Sequence, residues 1–363
     1  VNQTAVIWAE RYLLHDTGLW HPERPERLLA IKKVLDERPI GKKLIRLEPR
    51  LATPEEIAVI HDTEYIRRIQ ESAGHDIQLD PDTPVSPKSW EAACLAVGGM
   101  LHAVDWITGP GMFSKDCRRK LSEARSTTAS KGERAESAGG RLAGQGARRT
   151  AGSGEQSGEN IPGPVMRRVF AFVRPPGHHA ERARAMGFCL FNNVAIAAEY
   201  ALRKEGIRRI LIVDYDVHHG NGTQGAFYDR ADVFYISTHR YPFYPGTGAR
   251  KEEGEGKGKG FTLNIPFSGG QGDEEYLKAF DQEIIPTARD FKPDIILVSA
   301  GYDAHRLDPL GGMNVTAEGF ARMTAMIRTV ADQYCDGKMV MVLEGGYSLQ
   351  GLTESVEKCL EVI

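Results

Sequence analysis

The chain has little cysteine, and what it has shows no pattern. Cys94, Cys117, Cys189, Cys335 and Cys359 are scattered, odd in number and without a Cys-x-x-Cys pair. That argues against a disulfide framework and against a cysteine-type zinc site, and favours a reducing cytoplasm. An excess of one charge is also lacking. Lys and Arg total 46 against 49 Asp and Glu, a net −3 that gives no general drive toward nucleic acid or an anionic membrane. No apolar run approaches the ~20 residues that cross a bilayer. Val1 to Glu10 lacks the basic stretch and long apolar core of a secretory signal. The first residue is Val rather than Met, and Ile363 stands inside a helical pattern, which leaves the native termini open.

One segment lacks core-forming residues. From Lys115 to Asn160 the only large aliphatics are Leu121 and Leu142, and there are no aromatics. Such a stretch cannot bury enough apolar surface to offset its ordering cost, so it reads as a flexible surface insertion. Its ten Lys/Arg against six Asp/Glu could meet an acidic partner, although a solvated loop is the plainer reading. The expectation is a single domain over residues 1–363, interrupted at about 115–160.

What is there reads as α/β. Apolar content is 41% and charged content 26%, as in a globular protein with a large core. Short apolar runs at Val169–Val173, Ile210–Val213, Val233–Ile236, Ile295–Val298 and Met339–Leu343 predict strands. Helical spacing runs over Asn192–Lys204, Asp273–Asp290, Ala317–Tyr334 and Leu352–Leu360. The first third looks helical, over Pro25–Asp36, Pro54–Ile60, Thr63–Glu71 and Ser86–Ile107. Alternation of this kind predicts a mostly parallel sheet flanked by helices on both faces, with ligands at the carboxyl edge of the strands.

Those strand ends carry the chemistry. Ile210–Val213 runs into Asp214-Tyr215-Asp216-Val217-His218-His219-Gly220-Asn221-Gly222. Strand alternation sends Asp214, Asp216 and His218 to one face, where two carboxylates and an imidazole would repel and desolvate one another unless a cation joins them. Val173 leads into Arg174-Pro175-Pro176-Gly177-His178-His179-Ala180, whose prolines and glycine present tandem histidines at the same edge. Met186-Gly187-Phe188-Cys189-Leu190-Phe191-Asn192 ends in an Asn able to cap the next helix. Val298 leads to Ser299-Ala300-Gly301-Tyr302-Asp303-Ala304-His305, and Leu343 to Glu344-Gly345-Gly346-Tyr347. Taken alone, paired histidines are ordinary loop residues, Asp303 a helix cap and Tyr347 an amphipathic tyrosine. Four motifs in register at successive strand ends instead point to Asp216, His218 and Asp303 as a three-ligand zinc site with open positions for water and substrate.

These motifs resemble the histone deacetylase superfamily, in particular class II-like bacterial deacetylases and acetylpolyamine amidohydrolases. The resemblance covers nearly the whole chain outside the insertion. His21-Pro22-Glu23-Arg24-Pro25-Glu26-Arg27 and Phe243-Tyr244-Pro245-Gly246-Thr247-Gly248 also look like landmarks of that family. The resemblance implies an arginase/deacetylase-like fold and one zinc ion per chain activating a water. It makes His179 the general base, His178 its electrostatic partner oriented by Asp214, and Asn221 the support of His179. Many members carry Asp at that position, whereas class II-like members often carry Asn. Tyr347 would donate to the carbonyl oxygen. Phe188 and Tyr244 would wall a channel for an acyl-amine stem. Gly187 would offer its carbonyl to the substrate amide, and Gly346 would line the same channel. Asp82 is the candidate rim acid, with Asp80 nearly equivalent and an ordinary turn acid the plainer reading of either. A potassium ion beside the zinc would use Asp214, Asp216, His218, Ser237 and Thr238, partly through backbone oxygens. Arg27 would sit near a cavity below the site.

The implied substrates are acetylated lysine peptides or, as the alternative, acetylpolyamines. Polyamine-type members narrow their entrance with loops and dimer contacts, so a homo-oligomer stays open. A binuclear manganese ureohydrolase is disfavoured because its distal strand end needs an Asp-x-Asp pair where this chain has only Asp303. A non-catalytic acyl-lysine binder is disfavoured because every position needed for turnover is filled.

Overall fold

The computed structural model describes residues 2–109 and 166–363, so the insertion expected at about 115–160, and Cys117 with it, lies outside the described residues. The other four cysteines are free and buried.

Eight strands form one parallel sheet: β1 (Asn2–Ile7), β2 (Ile45–Leu47), β5 (Met166–Ala171), β6 (Ile210–Asp214), β7 (Val233–Arg240), β8 (Thr262–Phe267), β9 (Ile295–Ala300) and β10 (Met339–Leu343). Their spatial order is β2-β1-β5-β10-β9-β6-β7-β8. A small antiparallel pair, β3 (Ile77–Asp80) and β4 (Thr83–Val85), stands apart. Every residue of β6, β9 and β10 is buried, as a parallel sheet covered on both faces requires. On its faces, helix Ser89–Thr108 packs on Asn193–Leu202, and Ala317–Tyr334 packs on Leu349–Val362. β8 carries Pro266 and forms an edge, the place where a missing N–H is tolerated.

The α/β class and the five predicted strands stand. The largely helical first third is incomplete: β1 lies inside the sheet, and the β3–β4 hairpin holds Asp80 and Asp82. β1 escapes a reading by periodicity because its first three residues, Asn2-Gln3-Thr4, are polar and only Ala5, Val6 and Ile7 supply core. The helix expected over Asp273–Asp290 is broken into Asp273–Ala279, a π turn at Phe280–Ile284 and Ile285–Phe291. Pro286 lacks the N–H that would continue a regular ladder. Asn192 caps its helix as expected, its side chain accepting from Ala195 N.

For the site, the decisive feature is the order of the central strands. β5, β10, β9 and β6 are consecutive neighbours, and each of the four motifs follows the carboxyl end of one of them. Leu343 pairs with Ala300 and Asp214 with Ser299, which brings these ends to one level.

Candidate active site and metal centre

Asp216, His218 and Asp303 each offer one ligand atom, all within 4.8 Å of one another. His218 Nδ1 lies 3.1 Å from Asp216 Oδ1 and 3.1 Å from Asp303 Oδ2. Ligands about 2.0–2.2 Å from a tetrahedral zinc stand roughly 3.3–3.6 Å apart, and the two 3.1 Å separations come within a few tenths of an ångström of that spacing. The carboxylates are fixed from behind. Asp303 Oδ1 accepts Val217 N–H at 2.8 Å and Asp216 Oδ2 accepts Gly345 N–H at 2.8 Å. A β-carbon on Gly345 would collide with both carboxylates, and one on Gly301 with Asp216, so the two glycines keep that space clear.

The field here draws positive charge. Burial works against a protonated His218, yet Asp216 and Asp303 raise it to about 10. His178 likewise rises to about 10 against burial, through Asp216 and Asp214. Burial and the neighbouring Asp216 push Asp303 up to about 7. A pocket of oxygen and nitrogen donors that so favours a cation fits a divalent ion.

The two histidines differ in their backing. His178 Nδ1 is 3.1 Å from Asp214 Oδ2, an oxygen that also accepts from the Tyr235 hydroxyl at 3.0 Å. His179 Nδ1 is 2.8 Å from Asn221 Oδ1. Burial, then the charges of His178 and His218, hold His179 well below the usual imidazole range, so it stays neutral beside a charged partner.

Aromatic rings gather around the histidines. Gly187 and Phe188 both adopt left-handed backbone, with φ of 57° and 69°. A β-carbon on Gly187 would strike the His179 ring. This bend sets Phe188 edge-on to Tyr347, ring centroids 5.8 Å apart, and edge-on to His21 at 4.6 Å. Tyr244 stands edge-on to His179 at 5.1 Å, while Phe243 stacks on His218 at 5.4 Å. Tyr347 N–H donates to Asp308 Oδ2 at 2.6 Å. Burial and Asp303 raise its phenol well above the ordinary value, so the hydroxyl keeps its proton. The Gly346 carbonyl accepts from Arg27 Nε at 2.7 Å, and the Arg27 guanidinium lies 5.1 Å from the Tyr347 ring.

Asp82 sits in the β3–β4 turn, half-buried, with its carboxylate accepting from the Thr83 hydroxyl at 3.0 Å. Burial, then Asp80, raise it. Phe188 N–H donates to the same Thr83 hydroxyl, which ties the hairpin to the Gly187–Phe188 bend. Asp80 pairs with Arg184. Ser237 lies opposite Asp214 in the β6–β7 register, but its hydroxyl is engaged with His239 at 2.9 Å. Thr238 Oγ1 is buried without a hydrogen-bond partner among the described residues. Neither hydroxyl bonds to the Asp216–His218–Asp303 triad.

Three features go beyond the residues expected. Glu344, noted only as the start of a Gly-Gly turn, is fully buried and accepts the N–H groups of Gly177 and His178 at 2.7 and 3.2 Å. Glu23 is fully buried between Arg174, at 2.8 Å, and Arg27, at 3.1 Å. Phe243 covers His218, and its place beside Tyr244 in an aromatic–proline run was the available signal.

The histone deacetylase domain family model matches residues 21–363. A protein named "Probable deacetylase" from Archaeoglobus fulgidus is 36% identical over 350 residues, 96% of this chain and 82% of that protein. Chloroplastic histone deacetylase 10 of Oryza sativa subsp. japonica is 54% identical over 194 residues, 53% of this chain and 44% of that protein, so the match takes in under half of that relative. The crystal structure of the HDA15 HD domain superposes with a TM-score of 0.81 at 36% identity, covering 99% of this chain and 88% of that one.

Proposed function

The chain belongs to the histone deacetylase family, and we propose that it is a class II-like, zinc-dependent deacetylase removing acetyl or related acyl groups from lysine side chains. One observation carries this: the three convergent donors Asp216, His218 and Asp303 stand beside a buried His178–Asp214 pair and a His179–Asn221 pair. Asn221 in place of an acid supports the class II-like assignment. We read residues 1–363 as one catalytic domain.

A zinc ion held by the triad would bring the pKa of its water toward neutrality and polarise the substrate carbonyl. The chain's own groups do the rest. His179, its Nδ1 engaged by Asn221, takes the proton of the attacking water at Nε2 and returns it to the departing amine nitrogen. His178, held by Asp214, stays positive and steadies the developing negative charge. Tyr347 donates its hydroxyl proton as a hydrogen bond to the carbonyl oxygen as that oxygen gains charge. Phe188 and Tyr244 grip a methylene stem, which gains contact area there without needing polar partners. Asp303 as the sole acid of its strand end, flanked by buried Tyr302 and Ala304, supports one metal rather than two.

Acetylpolyamine hydrolysis is the second reading, and Asp82 favours it: no basic side chain pairs with this mouth acid among the described residues, so a cationic amine would suit it. Potassium is assigned to the region of Asp214, Ser237 and Thr238, with backbone oxygens completing the set. Four free cysteines support a reducing compartment such as the cytoplasm. Among the described residues no helix is long and apolar enough to cross a membrane. The test is turnover of acetyl-lysine peptides, N-acetylpolyamines and longer acyl-lysines by the zinc-loaded protein. Preference for acetyl-lysine peptides is expected; marked preference for acetylpolyamines reverses the order, and no turnover of any of them refutes the proposal.

A further inference from the structure

An amide in the place of an acid creates a problem that a carboxylate does not have. Asn221 can present either its oxygen or its NH2 to His179 with almost the same shape. Only one choice works. With the oxygen facing Nδ1, the ring must carry its hydrogen there, and Nε2 is left as the acceptor that a general base needs. With the NH2 facing Nδ1, the hydrogen moves to Nε2 and the ring cannot accept a proton at the reacting side.

The structure contains the group that decides. Asn221 Nδ2 donates to Glu181 Oε1 at 2.8 Å, with the Met186 sulfur a weaker neighbour at 3.4 Å. A carboxylate only accepts, so the amide turns its NH2 toward Glu181 and its oxygen toward His179 Nδ1, 2.8 Å away. Glu181 is itself anchored. Its N–H donates to the Arg184 carbonyl at 2.9 Å, and its own carbonyl is 3.0 Å from His61 Nδ1. Gly222, next to Asn221, has no room for a β-carbon against the Ala180 carbonyl, so the helix start is pressed onto the segment carrying Glu181. Glu181 and Asn221 also share the wall of a surface cavity of about 600 Å³, so a change at 181 leaves the sheet core intact.

We propose that Glu181 is a positioning residue that acts through Asn221 to fix the tautomer of His179. The inference rests on the deacetylase reading above. It also explains how a neutral amide serves where other members use an acid: the charge is moved one residue outward, away from the metal, and keeps its orienting effect.

The experiment compares kcat and KM of the zinc-loaded protein on an acetyl-lysine peptide across a double-mutant cycle. Glu181→Ala is expected to lower kcat roughly ten- to hundredfold with KM nearly unchanged, less than the roughly 10⁴-fold cost of a fully wrong tautomer in a serine-protease triad. Glu181→Gln, whose amide can donate as well as accept, no longer dictates which way Asn221 faces, so its kcat is expected to fall between those of the parent and Glu181→Ala. In Asn221→Asp the two carboxylates repel, so Glu181→Ala added to that background is expected to raise kcat. Nitrogen NMR of the His179 ring gives a readout that needs no turnover: Nδ1 protonated in the parent, mixed in Glu181→Ala. Equal kcat in the parent and Glu181→Ala, or an equal loss in the Asn221→Asp background, overturns the assignment. A parent without hydrolytic activity refutes the proposed function instead. The ring nitrogens then decide on Glu181, and an unchanged tautomer in Glu181→Ala overturns its role.

Discussion

Glu344 Oε2 accepts the Gly177 N–H at 2.7 Å, tying the end of β10 to the exit of β5 across 167 positions of sequence. The same oxygen takes the His178 N–H at 3.2 Å, and Oε1 takes the Ser299 hydroxyl at 3.1 Å. One carboxylate thus holds the tandem-histidine turn against two neighbouring strand ends. Glu344→Ala leaves two buried N–H groups without an acceptor, and should cost about 2–4 kcal/mol of stability together with most of the activity. Urea unfolding measures it; a loss below about 0.5 kcal/mol, the ordinary range of a surface change, would contradict the role.

Tyr347→Phe removes the hydroxyl while keeping the ring against Phe188 and Arg27. Steady-state kinetics should show kcat reduced ~10²-fold or more with KM little changed, as for loss of an oxyanion donor. Near-parental kcat would remove Tyr347 from the chemistry.

Glu23 links acid stability to the site. Although burial opposes its charge, Arg174 and then Arg27 hold its carboxyl at about 2, below the ordinary 4.5. A folded-state value below the unfolded one means that the contribution is present in full above pH 4.5. It is lost as pH falls from 4.5 toward 2, and amounts to about 3 kcal/mol. Glu23→Gln should therefore be far less stable than the parent at pH 6, with the gap closing below pH ~4. Unfolding free energies measured across that range check it; a constant gap would show that the pairing carries no such linkage.

Much of the candidate site was legible because its residues come in short local motifs. Asp214, Asp216 and His218 follow one strand, the histidines another, and each strand is an apolar run that needs no partner to be recognised. Residues whose roles depend on distant neighbours were not legible. Glu344 and Gly177 meet only because β10 lies beside β5 in the sheet, an adjacency that no local pattern encodes. Glu23 and Arg174 were both visible inside motifs, but their pairing joins two chain segments 151 positions apart. Glu181 lies one residue past the histidine motif and nothing local marks it, since only the folded helix start at Asn221 turns its amide toward it. The π turn at Phe280–Ile284 was hidden for the opposite reason: its composition is as helical as that of its flanks.

Phe243 stacks on His218, and the Arg240 guanidinium lies over the Phe243 ring, 4.2 Å from its centroid. Phe243→Ala should weaken zinc retention roughly tenfold, since the groups that orient a metal-ligating histidine typically matter by 10–100-fold. Competition against a zinc chelator measures it; unchanged affinity would remove Phe243 from any part in metal binding.

The most direct measurement is a zinc titration of the metal-free protein, following hydrolysis of an acetyl-lysine peptide. One equivalent per chain should restore full turnover, and Asp303→Ala, which leaves only Asp216 and His218 of the triad, should abolish both tight binding and activity. Turnover that survives complete metal removal, or that needs two equivalents, would contradict a single ion held by those three side chains.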